Sequence, residues 1–264
     1  KNMSVLFAKS WAGVARASRA LGSDAVRILS ARRALSSGGQ PAANHPWIAE
    51  VPGPKSFLPE ERVLTFLAAN VAAGNIDGVA RDWAYVPPSQ QGKGLEIVLQ
   101  VHTLAGFPRT INALIKIQEL GLHPEGTKYF DEVHDLAVWN KQGVETLETV
   151  YGSVSDKMRR NFKKMHPLLE SILTEHIYGR VLSRPLVDLR VRELCSLAII
   201  AGQNLPLQLV SHLRGSIRCG ATREEVNTVV EQTHLAWGTA ALNKAQHIRD
   251  QHWAEWAGAE CEIE

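Results

Sequence analysis

The chain has 264 residues, 45% of them hydrophobic, and a formal charge of +2. That length supports a large core in one or two domains, and no run of 18 apolar residues offers a membrane span. Cys195, Cys219 and Cys261 include no CxxC pair, which argues against a disulfide framework or a structural zinc site and for a reducing compartment.

Charge is unevenly spread. Residues 1–40 carry seven Lys/Arg against Asp24 alone, whereas the remainder carries 22 basic and 26 acidic residues. A mildly acidic body suits polyanions poorly, so no nucleic-acid partner is expected. The basic segment is rich in Arg, Ser and Ala, with Val5, Phe7, Trp11, Val14, Leu21, Val26, Ile28 and Leu29 at roughly helical spacing. Residues 1–37 therefore read as a mitochondrial transit peptide, processed between about residues 33 and 38, with the matrix as destination. Residues 38–57 are Pro/Gly-rich and aperiodic, and read as a linker.

From residue 58 the apolar periodicity is helical and no alternating run occurs, so the expected fold class is all-α. An internal repeat divides the body. Gln100, His102 and Gly106 recur as Gln232, His234 and Gly238, and the stretch from Arg62 to Ala69 matches that from Arg192 to Ile199. The expected organisation is a first unit over 58–126, connecting helices over 127–184, a second unit over 185–258 and a tail over 259–264. In the second unit Asp188 caps a helix to about Ala201, and Asn204 is expected to cap the next, with Pro206 near its start. Gly220 ends that helix. Thr222 opens another with Glu225 as capping-box partner, and Gly238 breaks the chain before a last helix from Ala240 to about Trp256.

On the helix after Asn204, Gln208, His212 and Ser216 form one stripe, with Gly215 and Cys219 beside it. Arg214 and Arg218 form a basic face. Glu193 precedes His212 by a helix and a turn, so antiparallel packing would bring them together. A carboxylate orients an imidazole, and imidazole titrates near neutrality, so such a pair can transfer protons. The segment DEVHD (131–135) has metal-ligand residue types, but a solvated turn is the reading preferred, and no metal is expected. No phosphate-binding or nucleophile-elbow motif occurs.

The block RELCSLAIIAGQNLPLQLVSHLRGSIRCGATREEV, together with GFPRTINAL near Gly106, resembles the carboxymuconolactone decarboxylase family over residues 58–250. The resemblance implies the AhpD-like all-helical fold shared with alkylhydroperoxidases, here with two related helical units, the first degenerate. It places Glu193 and His212 at the family's acid and histidine positions. The cysteine positions of its peroxidase branch fall on Leu205 and Gln208, so dithiol peroxidase chemistry is expected to be absent. Val63 stands where the first unit would need Glu193, and the stretch matching the His212 helix has no histidine.

The implied function is cofactor-independent decarboxylation of a small carboxylate-bearing substrate. Glu193 and His212 would be catalytic, and Gln208, Ser216, Arg192, Arg214 and Arg218 would bind substrate, since guanidinium pairs bidentately with carboxylates. A homo-oligomer is expected. The alternative is a non-catalytic accessory subunit of a mitochondrial complex, built on the same fold.

Overall fold

A computed structural model describes residues 40–120 and 135–261, with side chains as far as Trp256. The expected transit segment and residues 131–134 of DEVHD lie outside the described residues. Among the described residues there is no strand. The helices are α1 (Pro46–Glu50), α2 (Pro59–Ala73), α3 (Ile76–Trp83), α4 (Gln91–Gln100), α5 (His102–Ala105), α6 (Phe107–Leu120), α7 (Leu136–Tyr151) and α8 (Ser155–Met165). A π-wound helix, π1 (Ile172–Leu182), precedes α9 (Leu189–Gln203), α10 (Pro206–Arg218), α11 (Arg223–Glu231), α12 (Thr233–Trp237) and α13 (Thr239–Cys261).

Two helices form the centre. Every residue from Arg62 to Ala72 in α2 and from Val191 to Ala201 in α9 is buried. Helices apolar on nearly all sides belong in the interior, and these two pack against each other. Their few polar side chains then need partners. Gln100, at the end of α4, donates to Arg192 O (2.8 Å) and Ser196 Oγ (2.9 Å) on α9. Gln232, just after α11, donates to Thr65 Oγ1 on α2 (2.6 Å). His102 and His234 each turn Nδ1 onto the carbonyl three residues back, and Gly106 and Gly238 share a positive φ of 85° and 81°.

Arg192 is not a ligand clamp. It is wholly buried, with Nη2 on Glu96 Oε2 (2.8 Å), Nη1 on Gln100 Oε1 (3.2 Å) and Nε on Val187 O (3.2 Å). Arg184 holds both oxygens of the same Glu96 at 2.9 and 2.8 Å. Sequence could not separate the two uses, because a guanidinium binds a substrate carboxylate and a distant glutamate alike.

Two local expectations also change. Asn204 does not cap α10. It ends α9 in the left-handed region (φ 58°, ψ 48°), as Gly74 ends α2 at φ 74°. Asparagine tolerates this conformation better than most side chains. Leu205 then precedes Pro206 with no capping side chain. Residues 40–57 are not a free linker: Ala42, His45, Trp47, Val51 and Phe57 are buried. His45 Nε2 donates to buried Asp82 (3.0 Å), while its Nδ1 accepts from Trp47 N–H (3.2 Å). Prolines and glycines mark backbone angles, not burial, and the anchors here come singly, without a period to reveal them.

The connecting helices cross at two glycines. A Cβ on Gly143 would lie 1.9 Å from Thr174 O, and one on Gly179 would lie 1.9 Å from Trp139 O. α7 and π1 therefore meet backbone to backbone.

The Glu96 cluster makes a graded prediction. Glu96→Leu strands the buried Arg192 guanidinium and should cost about 3–5 kcal/mol. Arg192→Met leaves Glu96 with Arg184 and should cost clearly less. Urea midpoints of the two variants check the order, and equal losses would contradict it.

Candidate functional site

α9 and α10 are joined by the turn at Asn204, which brings Glu193 and His212 face to face. His212 Nδ1 lies 2.9 Å from Glu193 Oε2. A carboxylate only accepts, so Nδ1 carries a proton and Nε2 is turned away from Glu193. Glu193 is wholly buried, whereas the His212 side chain is 10% exposed. The acid is thus sealed, and the imidazole keeps only a small exposed remainder.

Glycine makes the contact possible. A Cβ on Gly215 would stand 2.8 Å from Glu193 Oε2 and 3.0 Å from Val150 Cγ1. Val150 therefore brings α7 against the same point at which α9 and α10 meet. Next to Val150, the Tyr151 hydroxyl lies 2.8 Å from that of Tyr178 on π1. Both rings pack with Val150, Leu147 and Cys219. Burial, with a contribution from Glu193, pushes the Tyr151 phenol up to about 12, and the Tyr178 phenol also rises, burial again being the largest cause. Burial and the Glu193 charge raise the Cys219 thiol to about 12. Two buried polar atoms, Glu193 Oε1 and Ser216 Oγ, have no hydrogen-bond partner.

Of the residues expected to bind substrate, Ser216 is buried one turn beyond His212, and Gln208 is exposed one turn before it. Arg218 is exposed at the rim, its Nη1 donating to Val150 O (3.3 Å). Arg214 is exposed two residues from His212, on the opposite side of α10. Arg192 faces the Glu96 cluster instead. Leu205 and Gln208 present no thiol, and Cys195 is fully buried with its thiol raised by desolvation. Among the described residues no group of three side chains could hold a metal ion, and no helix is long and apolar enough to cross a membrane.

Tyr151 and Tyr178 were not found from the sequence, because they lie outside the helix pair that carries the acid and the histidine. A signal existed: two of the four tyrosines precede glycine, in Val-Tyr-Gly and Ile-Tyr-Gly. Gly152 ends α7 at φ 58°, and Gly179 permits the close helix crossing.

An all-helical fold of AhpD-like type, with a buried acid–imidazole pair held between consecutive helices, defines the class. Comparison with known proteins agrees. The profile of the carboxymuconolactone decarboxylase family matches residues 167–249. The chain is 30% identical over 167 residues to peroxisomal protein 2 of Schizosaccharomyces pombe, covering 62% of this chain and 78% of that protein. It is 32% identical over 109 residues to a nitrosuccinic acid decarboxylase of Metarhizium robertsii, covering 40% and 76%. It is 25% identical over 112 residues to 4-carboxymuconolactone decarboxylase of Acinetobacter baylyi, covering 42% and 84%. The chain belongs to the carboxymuconolactone decarboxylase family.

The raised thiol of Cys219 has a direct consequence. A pKa of about 12, against 9.0 for an ordinary thiol, leaves about a thousandfold less thiolate at neutral pH. Alkylation of Cys219 by iodoacetamide, followed by peptide mass spectrometry, should run far below the rate of an unperturbed thiol. Reaction at the ordinary rate would contradict this environment.

Proposed function

We propose that the protein is a cofactor-independent decarboxylase of small carboxylates that carry an electron-withdrawing group on the carbon that loses CO₂. The observation that carries this reading is the Glu193–His212 contact, wholly buried at the acid and slightly exposed at the imidazole. The names of two relatives, nitrosuccinic acid decarboxylase and 4-carboxymuconolactone decarboxylase, support the reaction class.

Decarboxylation breaks the bond between the carboxylate carbon and its neighbour. CO₂ departs, and the electron pair stays on the substrate, spread onto the oxygen of its carbonyl or nitro group. One proton must then reach carbon. His212 first takes a proton from solvent at Nε2 and then delivers it to the carbon, while Glu193 holds the ring in place through Nδ1. Ser216 and Gln208 supply hydrogen bonds, and Arg218 at the rim pairs with a second carboxylate where the substrate has one. No thiol step enters, because neither Leu205 nor Gln208 can form a disulfide.

Carbon dioxide release from a panel of 2-nitro and β,γ-unsaturated carboxylates tests the reading. His212→Ala should lower the rate by about 10²–10⁴-fold. Glu193→Gln, which keeps the shape but loses the charge, should lower it less. If no member of the panel is turned over and the protein migrates with a large assembly on native gels, the accessory-subunit reading replaces this one.

We place the protein in the mitochondrial matrix on the basic, acid-poor composition of residues 1–37. One relative is named a peroxisomal protein, which makes the peroxisome the competing site. A fluorescent reporter carrying residues 1–37 should enter mitochondria; if it stays outside them and the full chain collects in peroxisomes, the assignment fails.

A further inference from the structure

The Glu193–His212 pair can move a proton, but it offers no donor to the oxygen that takes up charge when CO₂ leaves. Electrostatic holding of that oxygen is usually a large part of catalysis. The cations first expected near the site do not supply it. Arg192 is bound to Glu96, Arg214 stands on the far side of α10, and Arg218 lies at the rim.

The geometry points to the hydroxyl pair of Tyr151 and Tyr178 as the part of the site that holds this oxyanion, whether enolate or nitronate. The assignment rests on the decarboxylase reading above and extends it to helices outside the α9–α10 pair. Two phenols joined by one hydrogen bond at 2.8 Å use one of their two protons on each other and keep the second for a third acceptor. Tyr178 is buried, and both rings pack beside Val150, which also flanks Gly215 and hence Glu193. Ser216 Oγ, buried and unpartnered next to Gly215, is a further unsatisfied donor.

The phenols are suited to the task in another respect. Burial raises both, so they remain protonated donors across the physiological range. Two paired phenols share a negative charge better than one, because each hydrogen bond polarises the next. In the step itself the carbon–carbon bond to the carboxylate breaks, and its electron pair moves to the nitro or carbonyl oxygen held by the free phenol proton. His212 then protonates carbon, and the charge returns from oxygen. Proton and substrate carboxylate are consumed, CO₂ and the protonated product leave, and no oxidant or reductant is required.

A nitronate tests this apart from turnover, because it carries the oxyanion and has no carboxylate left to lose at that carbon. The probes are 3-nitropropanoate and its freshly generated nitronate, titrated by calorimetry against the full chain and against Tyr178→Phe and Tyr151→Phe. The unaltered protein should bind the nitronate at least about tenfold more tightly than the nitro form. Each Phe variant should remove that preference while leaving the affinity for the nitro form and the urea midpoint little changed. A loss of packing alone would weaken both probes together. Should Tyr178→Phe not fold, Tyr151→Phe, at the less buried ring, carries the comparison. Equal binding of both probes by the unaltered protein, or a preference that survives both substitutions, overturns the tyrosine assignment and leaves the decarboxylase reading standing. Failure to bind either probe overturns the small-carboxylate reading and the tyrosine assignment with it.

Discussion

The structure depends on how a buried arginine is neutralised. Arg192 sits on a helix with almost no polar surroundings, and an unpaired guanidinium there would not be tolerated. Glu96, from the other half of the chain, answers it, and Arg184 and Gln100 complete the cluster. Glu193 is the next residue on the same helix, turned by about 100°. Fixing Arg192 towards α4 therefore fixes Glu193 towards α10. One ion pair sets the rotation of α9, and that rotation aims the acid at His212.

The candidate site and the proposed phenol pair draw on separate places in the chain. α9 and α10 give the acid and the imidazole, and a turn with a left-handed Asn204 sets their separation. α7 and π1 give the phenols, and their mutual distance follows from Gly143 and Gly179, where main chains touch without side chains between them. A side-chain interface can adjust by changing rotamers; a main-chain interface has little to adjust. The helices that carry the phenol pair thus meet at a contact with little room to adjust.

The acid–histidine contact was legible because it is nearly local: one helix, one turn and one stripe determine it. The helical class was legible for the same reason, from period alone. Arg192 was misplaced because its partner lies 96 residues away, and nothing in its own neighbourhood distinguishes an internal acid from a ligand. Asn204 was misread because asparagine serves both as an N-cap and as a left-handed C-cap, and only the turn geometry chooses. Residues 40–57 looked loose because composition reports backbone freedom, whereas Trp47 alone removes about 150–250 Å² of ring surface from water. The tyrosines were invisible as a pair because two separate helices must cross before their hydroxyls meet.

The buried segment around His45 also bears on how many guests each chain can take. Asp82 is the seventh residue of α3, as His212 is of α10, and each helix follows a left-handed helix end. At Asp82, however, the neighbouring space is filled by the chain's own His45, with Trp47 and Tyr85 around it, and both the acid and the imidazole are sealed from solvent. The chain fills this space with its own side chains. Under the proposed function the stoichiometry is one guest per polypeptide, so in an assembly of any order the number of sites would equal the number of chains.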